Sequence, residues 1–278
     1  MAKELTPIQI INRSLHKKFR KTIWKPFISS IKQYQLIEEN DCIAVCISGG
    51  KDSMLLAKLM QSLQSYSNVP FTAKYVVMNP GYNEINLQTV ISNAAKLEIP
   101  IEIFDSNIFD VVTETDRSPC YLCARMRRGF LYSYAQKIGC NKIALGHHFS
   151  DVVETTLMGM LFGAQVQTMM PKVKSKNFKG LELIRPMYRV HEDHIIAWKK
   201  YNNLEFIQCA CPLAENCNIL DASGGASKRQ EVKALLKNLK QENKDVEKSI
   251  FQSIHMVNLD TIIGYKHDGK EYSFLDNY

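Results

Sequence analysis

The stretch CIAVCISGGKDS, residues 42–53, decides how this chain folds. Its first half, 42–47, is a run of six apolar residues bounded by Asp41 on one side and by the glycines on the other. Such a run is typical of a strand that is buried on both faces of a parallel sheet. Its second half, SGGKDS, follows the strand directly and opens a helix, so the sequence predicts a tight strand-to-helix turn.

This turn is suited to holding phosphate. Gly49 and Gly50 let the backbone approach a ligand closely, and the helix start offers unpaired N–H groups and the positive end of its dipole. Lys51 adds a point charge, while Ser48 and Ser53 supply hydroxyl donors. The motif is not a Walker A loop, because no four-residue gap separates an earlier glycine from the Gly-Lys pair.

A Walker-like spacing occurs elsewhere, in GYKHDGK at 264–270. There Glu271 stands where the metal-binding Ser or Thr would be, and no convincing helix follows. We interpret this segment as a surface hairpin.

Strands and helices alternate along much of the chain. After the first strand, strands are predicted at 72–78, 101–104, 142–145 and 181–184, and helices at 54–62, 86–96, 127–137, 152–162, 194–201 and 228–239. This alternation predicts an α/β fold with a doubly wound parallel sheet. We divide the chain into an N-terminal helical segment (1–40), an α/β domain (41–190) and a C-terminal helical, cysteine-containing region that packs on it (191–278).

Composition and charge narrow the class of protein. The 278 residues are 45% hydrophobic and 23% charged, which is ordinary for a soluble globular protein and argues against disorder. No signal-peptide pattern and no apolar stretch long enough for a bilayer is present, so we expect a cytoplasmic protein without a membrane partner. The formal charge of +7 and the pI near 8.9 favour an anionic partner.

The eight cysteines divide into five candidate ligands and three core residues. Pro119 precedes a CxxC at Cys120 and Cys123, and a second group follows far along the chain at Cys209, Cys211 and Cys217. Three or four thiolates suit either a tetrahedral zinc site or an iron–sulfur cluster, and a lone CxxC also suits a redox dithiol. By contrast, Cys42, Cys46 and Cys140 are interpreted as small core residues.

SGGKDS after a buried strand, followed by CxxC and a distant cysteine, resembles the tRNA 2-thiocytidine biosynthesis (TtcA-like) family of the PP-loop ATPase superfamily. The resemblance implies a Rossmann-like PP-loop (HUP) fold. It also implies an ATP-dependent tRNA sulfurtransferase that adenylates a base, expected to be the cytidine at position 32. Sulfur then replaces oxygen with the help of a [4Fe–4S] cluster, and AMP and pyrophosphate are released.

The resemblance also implies site residues. Cys120, Cys123 and Cys211 would hold the cluster, with Cys209 as the alternative third ligand and the role of Cys217 open. ATP would contact Ser48, Gly49, Gly50, Lys51, Asp52, Ser53, Asn79, Gly146 and His147. Catalytic roles fall to Lys51, Asp52 and Asp151, although Ser150 stands where relatives usually carry an acid. Arg125, Arg127 and Arg128 match a basic helix expected to contact tRNA phosphates.

Cofactors and partners follow from the same resemblance. They are ATP with Mg²⁺, the [4Fe–4S] cluster, tRNA and a sulfur donor such as a cysteine desulfurase, with a homodimer carried over from the family. Other PP-loop enzymes that make 2-thiouridine or lysidine stay open as alternatives. So do a zinc-stabilised RNA-binding protein without turnover and a redox-sensing dithiol protein.

Overall fold

The computed structural model describes residues 5–106, 108, 119–207 and 228–278, without the side chains of 119–124 and 277. It divides into two compact units. One comprises 1–152 and 169–227, and the other 153–168 and 228–278. Within the described part of the chain, no helix is both long enough and apolar enough to cross a membrane.

The first unit is built on a central sheet. Its strands are β1 (Cys42–Ile47), β2 (Thr72–Asn79), β3 (Ile101–Asp105), β4 (Lys142–Ala144), β5 (Lys172–Lys174) and β6 (Glu182–Ile184). Its helices are α1 (Pro7–His16), α2 (Lys25–Gln33), α3 (Lys51–Tyr66), α4 (Glu84–Lys96), α5 (Pro119–Lys137) and α7 (Glu192–Tyr201), with a π-helical turn at Arg20–Trp24 before α2. Helix α6 (Phe149–Gly163) begins in this unit and ends in the other.

The strand order is β3-β2-β1-β4-β6-β5, and every neighbouring pair is parallel except β5 with β6. The predicted α/β fold with a doubly wound parallel sheet is thus confirmed, except that the edge strand β5 is antiparallel. From β1 the chain first builds outward through β2 and β3, and then returns to add β4 on the other side of β1. In such a sheet the ligand crevice lies at the carboxyl ends of the two strands where the order reverses, here β1 and β4.

Strand β1 is buried on both faces, as its apolar run predicted. Ile43, Val45 and Ile47 belong to a large core cluster that also contains residues of α1, α2, α3 and α7. Ala44 and Cys46 face a second cluster, to which α5 contributes Ala135. Helices therefore cover both faces of the sheet, which fixes β1 and the turn that follows it.

Several boundaries differ from the prediction. Helix α3 begins at Lys51, inside the glycine-rich turn, and α5 begins at Pro119 rather than at 127. The N-terminal helix is interrupted by the π-helical turn, which the sequence pattern did not reveal. Strand β5 was not predicted, because a three-residue edge strand is too short to show a period.

The second unit contains the C-terminal part of α6, α8 (Lys228–Glu242), α9 (Val246–Ser253), β7 (Gly264–His267) and β8 (Lys270–Ser273). Strands β7 and β8 form an exposed antiparallel hairpin, which confirms the hairpin interpretation of the Walker-like segment. Buried Glu154 of α6 pairs with Arg229 at 3.1 Å and Lys233 at 3.6 Å on α8. Helix α9 was not predicted, and the three-part division of the chain stays a prediction.

Candidate active site

The turn after β1 has the backbone geometry that the glycines predicted. Gly49 has a φ of +81°, which favours glycine, and a Cβ there would lie 2.6 Å from side-chain atoms of both Ile207 and Val90. Gly50 is the N-cap of α3 and provides no side-chain cap to its amides. The N-terminus of α3 is thus presented as a backbone anion site at the carboxyl edge of the sheet.

The two serines of the turn hold it together. The Ser48 N–H donates to Ser53 Oγ at 3.1 Å, and the two hydroxyl oxygens lie 3.2 Å apart. The Ser53 hydroxyl also donates to the Gly50 carbonyl at 3.0 Å. Their hydrogen bonds in this structure thus stabilise the turn, and their predicted donation to phosphate stays a prediction.

Lys51 is held between two carboxylates. Its Nζ lies 3.0 Å from Asp52 Oδ2 and 2.8 Å from Glu192 Oε1, the latter in the first turn of α7. Burial by itself would lower the pKa of Lys51, but the hydrogen bonds and charges of Glu192 and Asp52 outweigh it and raise that pKa above its ordinary value. Lys51 is therefore a firmly charged cation.

Glu192 was not singled out from the sequence, which predicted this helix only from residue 194. The helix is confirmed, with its start at Glu192, but the contact of Glu192 with Lys51 was missed. The Glu192 N–H donates to the Ser150 hydroxyl at 3.4 Å, so the helix start also touches the residue that replaces the expected acid. No sequence signal links residues separated by 141 positions.

His148 links the two predicted catalytic acids. It is 3% exposed, and its Nε2 lies 3.7 Å from Asp52 Oδ1 while its Nδ1 lies 3.4 Å from Asp151 Oδ2. The His148 N–H donates to Asp151 Oδ2 at 3.0 Å, so this carboxylate also stabilises the start of α6. The neighbouring His147 was predicted from the sequence as a site residue, whereas His148 was not.

Gly146 lets the end of β4 approach the glycine-rich turn. A Cβ on Gly146 would lie 3.0 Å from the Ser53 nitrogen and 3.1 Å from the Asp52 carbonyl carbon, and both of these are backbone atoms. Only glycine fits this approach without a shift of backbone. The structure therefore joins two predicted segments, the turn after β1 and the Gly146-His147 pair after β4.

A cavity of about 760 Å³ opens over these two strand ends. Its lining contains many of the predicted residues: Ser48, Asp52, Ser53, Arg127, Arg128, Gly146, His147 and Asp151. It also contains residues that the sequence analysis did not name, among them Tyr82, Tyr132 and Arg185. Burial lowers the pKa of Arg185 to about 10, so this guanidinium is still charged near neutral pH.

Two predicted residues lie differently. The Asn79 side chain accepts from the Gly81 and Tyr82 N–H groups and donates to Asp105, so its observed bonds shape the turn after β2. Arg125 is exposed and is not among the residues that line the cavity, unlike Arg127 and Arg128. The nucleotide contact predicted for Asn79 and the tRNA contact predicted for Arg125 stay predictions.

The cysteines are only partly described. Cys120 and Cys123 lie in α5, but their side chains are outside the described residues, as are Cys209, Cys211 and Cys217 altogether. Cys46 and Cys140 are buried as predicted, and Cys42 is half-buried with its Sγ 3.2 Å from that of Cys140. Burial raises the pKa of Cys46 to about 12, which makes it an inert core thiol.

The chain is similar in sequence to a known domain family and to known proteins. Residues 17–212 match the PP-loop domain family. The chain is 35% identical over 248 residues to the tRNA-cytidine(32) 2-sulfurtransferase of Photobacterium profundum, covering 86% of this chain and 76% of the relative. It is 32% identical over 228 residues to that of Geobacter metallireducens, covering 81% and 85%.

Among solved structures, the U34-tRNA thiolase NcsA from Methanococcus maripaludis, solved with its [4Fe–4S] cluster, has a similar fold. The TM-score is 0.63 and the sequence identity 21%, with 87% of this chain and 80% of that chain covered. At this identity the likeness concerns the fold.

Proposed function

Because this chain belongs to the tRNA-cytidine(32) 2-sulfurtransferase family of PP-loop proteins, we propose that it replaces the C2 oxygen of a tRNA cytidine with sulfur, using ATP. The family and the class of enzyme predicted from the sequence, an ATP-dependent tRNA sulfurtransferase, are confirmed. The observation that carries the proposal is the close approach of Gly146 to the turn at 48–53, beside a cavity of about 760 Å³. The nucleotide at position 32 and the site residues below belong to the proposal.

The first step is adenylation of the base. ATP lies with its phosphates on the turn at 48–53 and its adenosine toward Gly146 and His147. The C2 oxygen of the base attacks the α-phosphorus, the bond to the β-phosphate breaks, and pyrophosphate leaves. Charge grows on the pyrophosphate oxygens in this step, and the amides of α3 together with Lys51 stabilise it where preorganised donors help most.

The second step is the exchange of oxygen for sulfur at C2. Adenylation turns the C2 oxygen into part of a good leaving group. A sulfur nucleophile then forms a bond to C2, the bond from C2 to the former carbonyl oxygen breaks, and AMP departs carrying that oxygen. The cavity is suited to a polyanionic substrate, because the cations Arg127, Arg128 and Arg185 line its wall.

A Mg²⁺ ion fits the carboxylates of the site. Asp52 Oδ1 is buried and accepts no hydrogen bond from the residues that the structure describes, which is unusual for a carboxylate oxygen. Asp52 and Asp151 would hold the ion, since hard cations prefer such oxygens. Mg²⁺ would supply positive charge beside the phosphates, and His148 contacts both carboxylates.

A [4Fe–4S] cluster held by Cys120, Cys123 and Cys211, with Cys209 as the alternative third ligand, belongs to the same proposal. The donor set fits, because three thiolates suit such a cluster, and Ile207, the last described residue before that segment, packs against Gly49. The cluster would supply a site for the incoming sulfur. A cysteine desulfurase as donor, a homodimeric state and a cytoplasmic location remain parts of the proposal.

The proposal is tested with protein purified without oxygen, tRNA, ATP, Mg²⁺ and sulfide. We expect tRNA-dependent release of AMP and pyrophosphate, and 2-thiocytidine in the digested tRNA by mass spectrometry. Iron and sulfide analysis of Cys120→Ala, Cys123→Ala and Cys211→Ala should show loss of about four irons per chain, while Cys140→Ala serves as the control and retains them. A zinc-loaded protein that binds tRNA without consuming ATP would refute the proposal in favour of a binding protein.

A further inference from the structure

The N-terminal segment 5–37 carries an unusual concentration of charge. It contains seven Lys and Arg residues and neither Asp nor Glu, so it accounts for the whole formal charge of +7 of the chain. The remainder of the chain is balanced overall. Proteins that bind nucleic acids commonly carry their basic residues on one face. If this segment binds a nucleic acid, its basic side chains are therefore expected to share a face.

Buried and basic positions alternate along residues 11–27 of this segment. The core positions recur every four residues and are at most 6% exposed: Ile11, Leu15, Phe19, Ile23 and Phe27. Halfway between them stand four exposed cations, Arg13, Lys17, Lys21 and Lys25, which we call the basic stripe. Two residues correspond to a rotation of about 200° in an α-helix, so the stripe points away from the core.

The π-helical turn explains how this spacing is kept. In a regular α-helix, positions four residues apart drift round the axis, because one turn takes 3.6 residues. Between α1 and α2, however, the Phe19 N–H donates to the Ser14 carbonyl and the Trp24 N–H donates to the Phe19 carbonyl, both over five residues. The wider turn offsets the drift, so the basic stripe continues from α1 into α2.

The segment is anchored to the helix that also reaches the active site. Lys18 Nζ lies 3.7 Å from the ring centroid of Tyr201, and Phe19 packs edge-on against the same ring. Tyr201 ends α7, whose first residue, Glu192, pairs with Lys51. Ten residues of α-helix span about 15 Å, so one helix length separates this anchor from the catalytic lysine.

We propose that the basic stripe is a second phosphate-binding surface, which holds the tRNA backbone several nucleotides away from the base in the cavity. This inference rests on the proposed function, because it takes tRNA as the polyanion. Successive cations of the stripe are about 6 Å apart along a helix axis, a spacing similar to that of successive phosphates on one RNA strand. An anionic membrane fits less well, because the apolar side of the segment is already buried in the core.

The test compares two triple variants with equal loss of charge. In one, Lys17, Lys21 and Lys25 are each changed to Gln. In the control, Lys137, Lys176 and Lys179 are changed to Gln; these exposed residues lie at the amino edge of the sheet, near the starts of β4 and β6. All six side chains are exposed, so we expect both variants to fold and to bind ATP with the wild-type Kd.

The measurement is the Kd for tRNA as a function of salt concentration, by fluorescence anisotropy. Each phosphate contact contributes about 0.7–0.9 to the slope of log K against log salt. For K17Q/K21Q/K25Q we expect a slope lower by about two to three and a Kd for tRNA on the order of tenfold higher. The control variant should keep the wild-type slope.

Three results would overturn the inference. If both variants lose affinity equally, only net charge matters and the stripe is no binding surface. If the slope of K17Q/K21Q/K25Q equals that of the wild type while the wild type binds tRNA, the inference fails and the proposed function stands. If the wild type binds no tRNA but binds phosphatidylserine vesicles through the stripe, the proposed function and the inference fail together.

Discussion

Lys142 and Lys51 lie at opposite edges of the same sheet, and each lies close to carboxylates. The two networks differ in the exposure of the lysine and in how completely the carboxylate oxygens are hydrogen-bonded. At the amino edge, Lys142 is 5% exposed and lies 2.8 Å from Asp41, 3.6 Å from Glu182 and 3.9 Å from Glu38. At the carboxyl edge, the Lys51 side chain is 25% exposed, and one buried oxygen of Asp52 accepts no hydrogen bond from the described residues.

The difference separates a network in which every carboxylate oxygen of Asp41 is engaged from one that keeps an unused acceptor among the described residues. Both oxygens of Asp41 are engaged, since Oδ1 accepts from Asn141 at 2.7 Å while Oδ2 accepts from the Glu38 N–H and pairs with Lys142. Buried groups satisfied in this way have little left to offer a ligand. At the carboxyl edge, in contrast, Asp52 lines the cavity and keeps one oxygen without a hydrogen bond from the described residues. The same residue types are thus saturated at one edge and available to a ligand at the other.

The largest effect should come from breaking the amino-edge network. Lys142→Met leaves Asp41 buried without its cation, which should lower the free energy of unfolding by about 3–5 kcal/mol. Urea denaturation followed by circular dichroism measures this. Lys96→Met, at an exposed position on α4, is the control and should stay within about 0.5 kcal/mol of the wild type. A Lys142 variant that is stable but inactive would mean that the amino edge takes part in the reaction and does not mainly stabilise the fold.

The converse change at the carboxyl edge should affect the reaction instead. Lys51→Met removes the cation that, in the proposed mechanism, stabilises charge on the leaving pyrophosphate, so we expect tRNA-dependent AMP formation to fall by about 10²–10³-fold. Its thermal unfolding midpoint should stay close to that of the wild type, since Lys51 is only partly buried. Severe destabilisation of the Lys51 variant with normal turnover per folded molecule would contradict the comparison.

Gly146→Ala tests whether close packing of the two strand ends is required. The added Cβ would meet backbone atoms of Asp52 and Ser53 at 3.0–3.2 Å, so either β4 or the start of α3 must shift. Overpacking of this kind costs about 1–3 kcal/mol, and we expect the Kd for ATP to rise by a corresponding factor of about ten or more. Gly129→Ala, where nothing lies within 4 Å of the new Cβ, should leave the Kd for ATP unchanged.

The smallest effect is expected from Glu192→Gln, which keeps the side-chain shape but removes the charge next to Lys51. The Glu192 hydrogen bond and charge raise the pKa of Lys51, so its loss lowers that pKa. The cationic form is then lost at lower pH, and the alkaline limb of the kcat/KM profile for ATP should move to lower pH. Asp193→Asn, on the same helical turn, is the control. An unchanged alkaline limb would mean that Glu192 does not position Lys51.

Local patterns explain why much of the fold was predictable. The apolar residues of β1 and the glycines after them are consecutive in the chain. The strand, the turn and the place of the candidate site at the carboxyl edge could therefore be predicted from this local pattern. The short edge strand β5 and the π-helical turn carry no such local pattern, because a few residues do not establish a period. Helix α9, which is only eight residues long, was overlooked.

The composition of the site was less predictable, because the tertiary fold brings its members together. Glu192 meets Lys51 over 141 positions, and Arg185 reaches the cavity from the segment after β6. The choice between His147 and His148 depends on which way each neighbouring side chain points where β4 ends, and the residue types do not specify that. The cluster ligands stay predictions from the cysteine spacing and the family resemblance.

In the proposed mechanism, the C2 oxygen of the base is adenylated before sulfur replaces it. We would prepare tRNA with ¹⁸O at C2 of the target cytidine, incubate it anaerobically with the protein, ATP, Mg²⁺ and sulfide, and analyse the released nucleotide by mass spectrometry. We expect one ¹⁸O in AMP for each 2-thiocytidine formed, and unlabelled pyrophosphate. Unlabelled AMP, or ADP with phosphate as the products, would refute adenylation of the C2 oxygen.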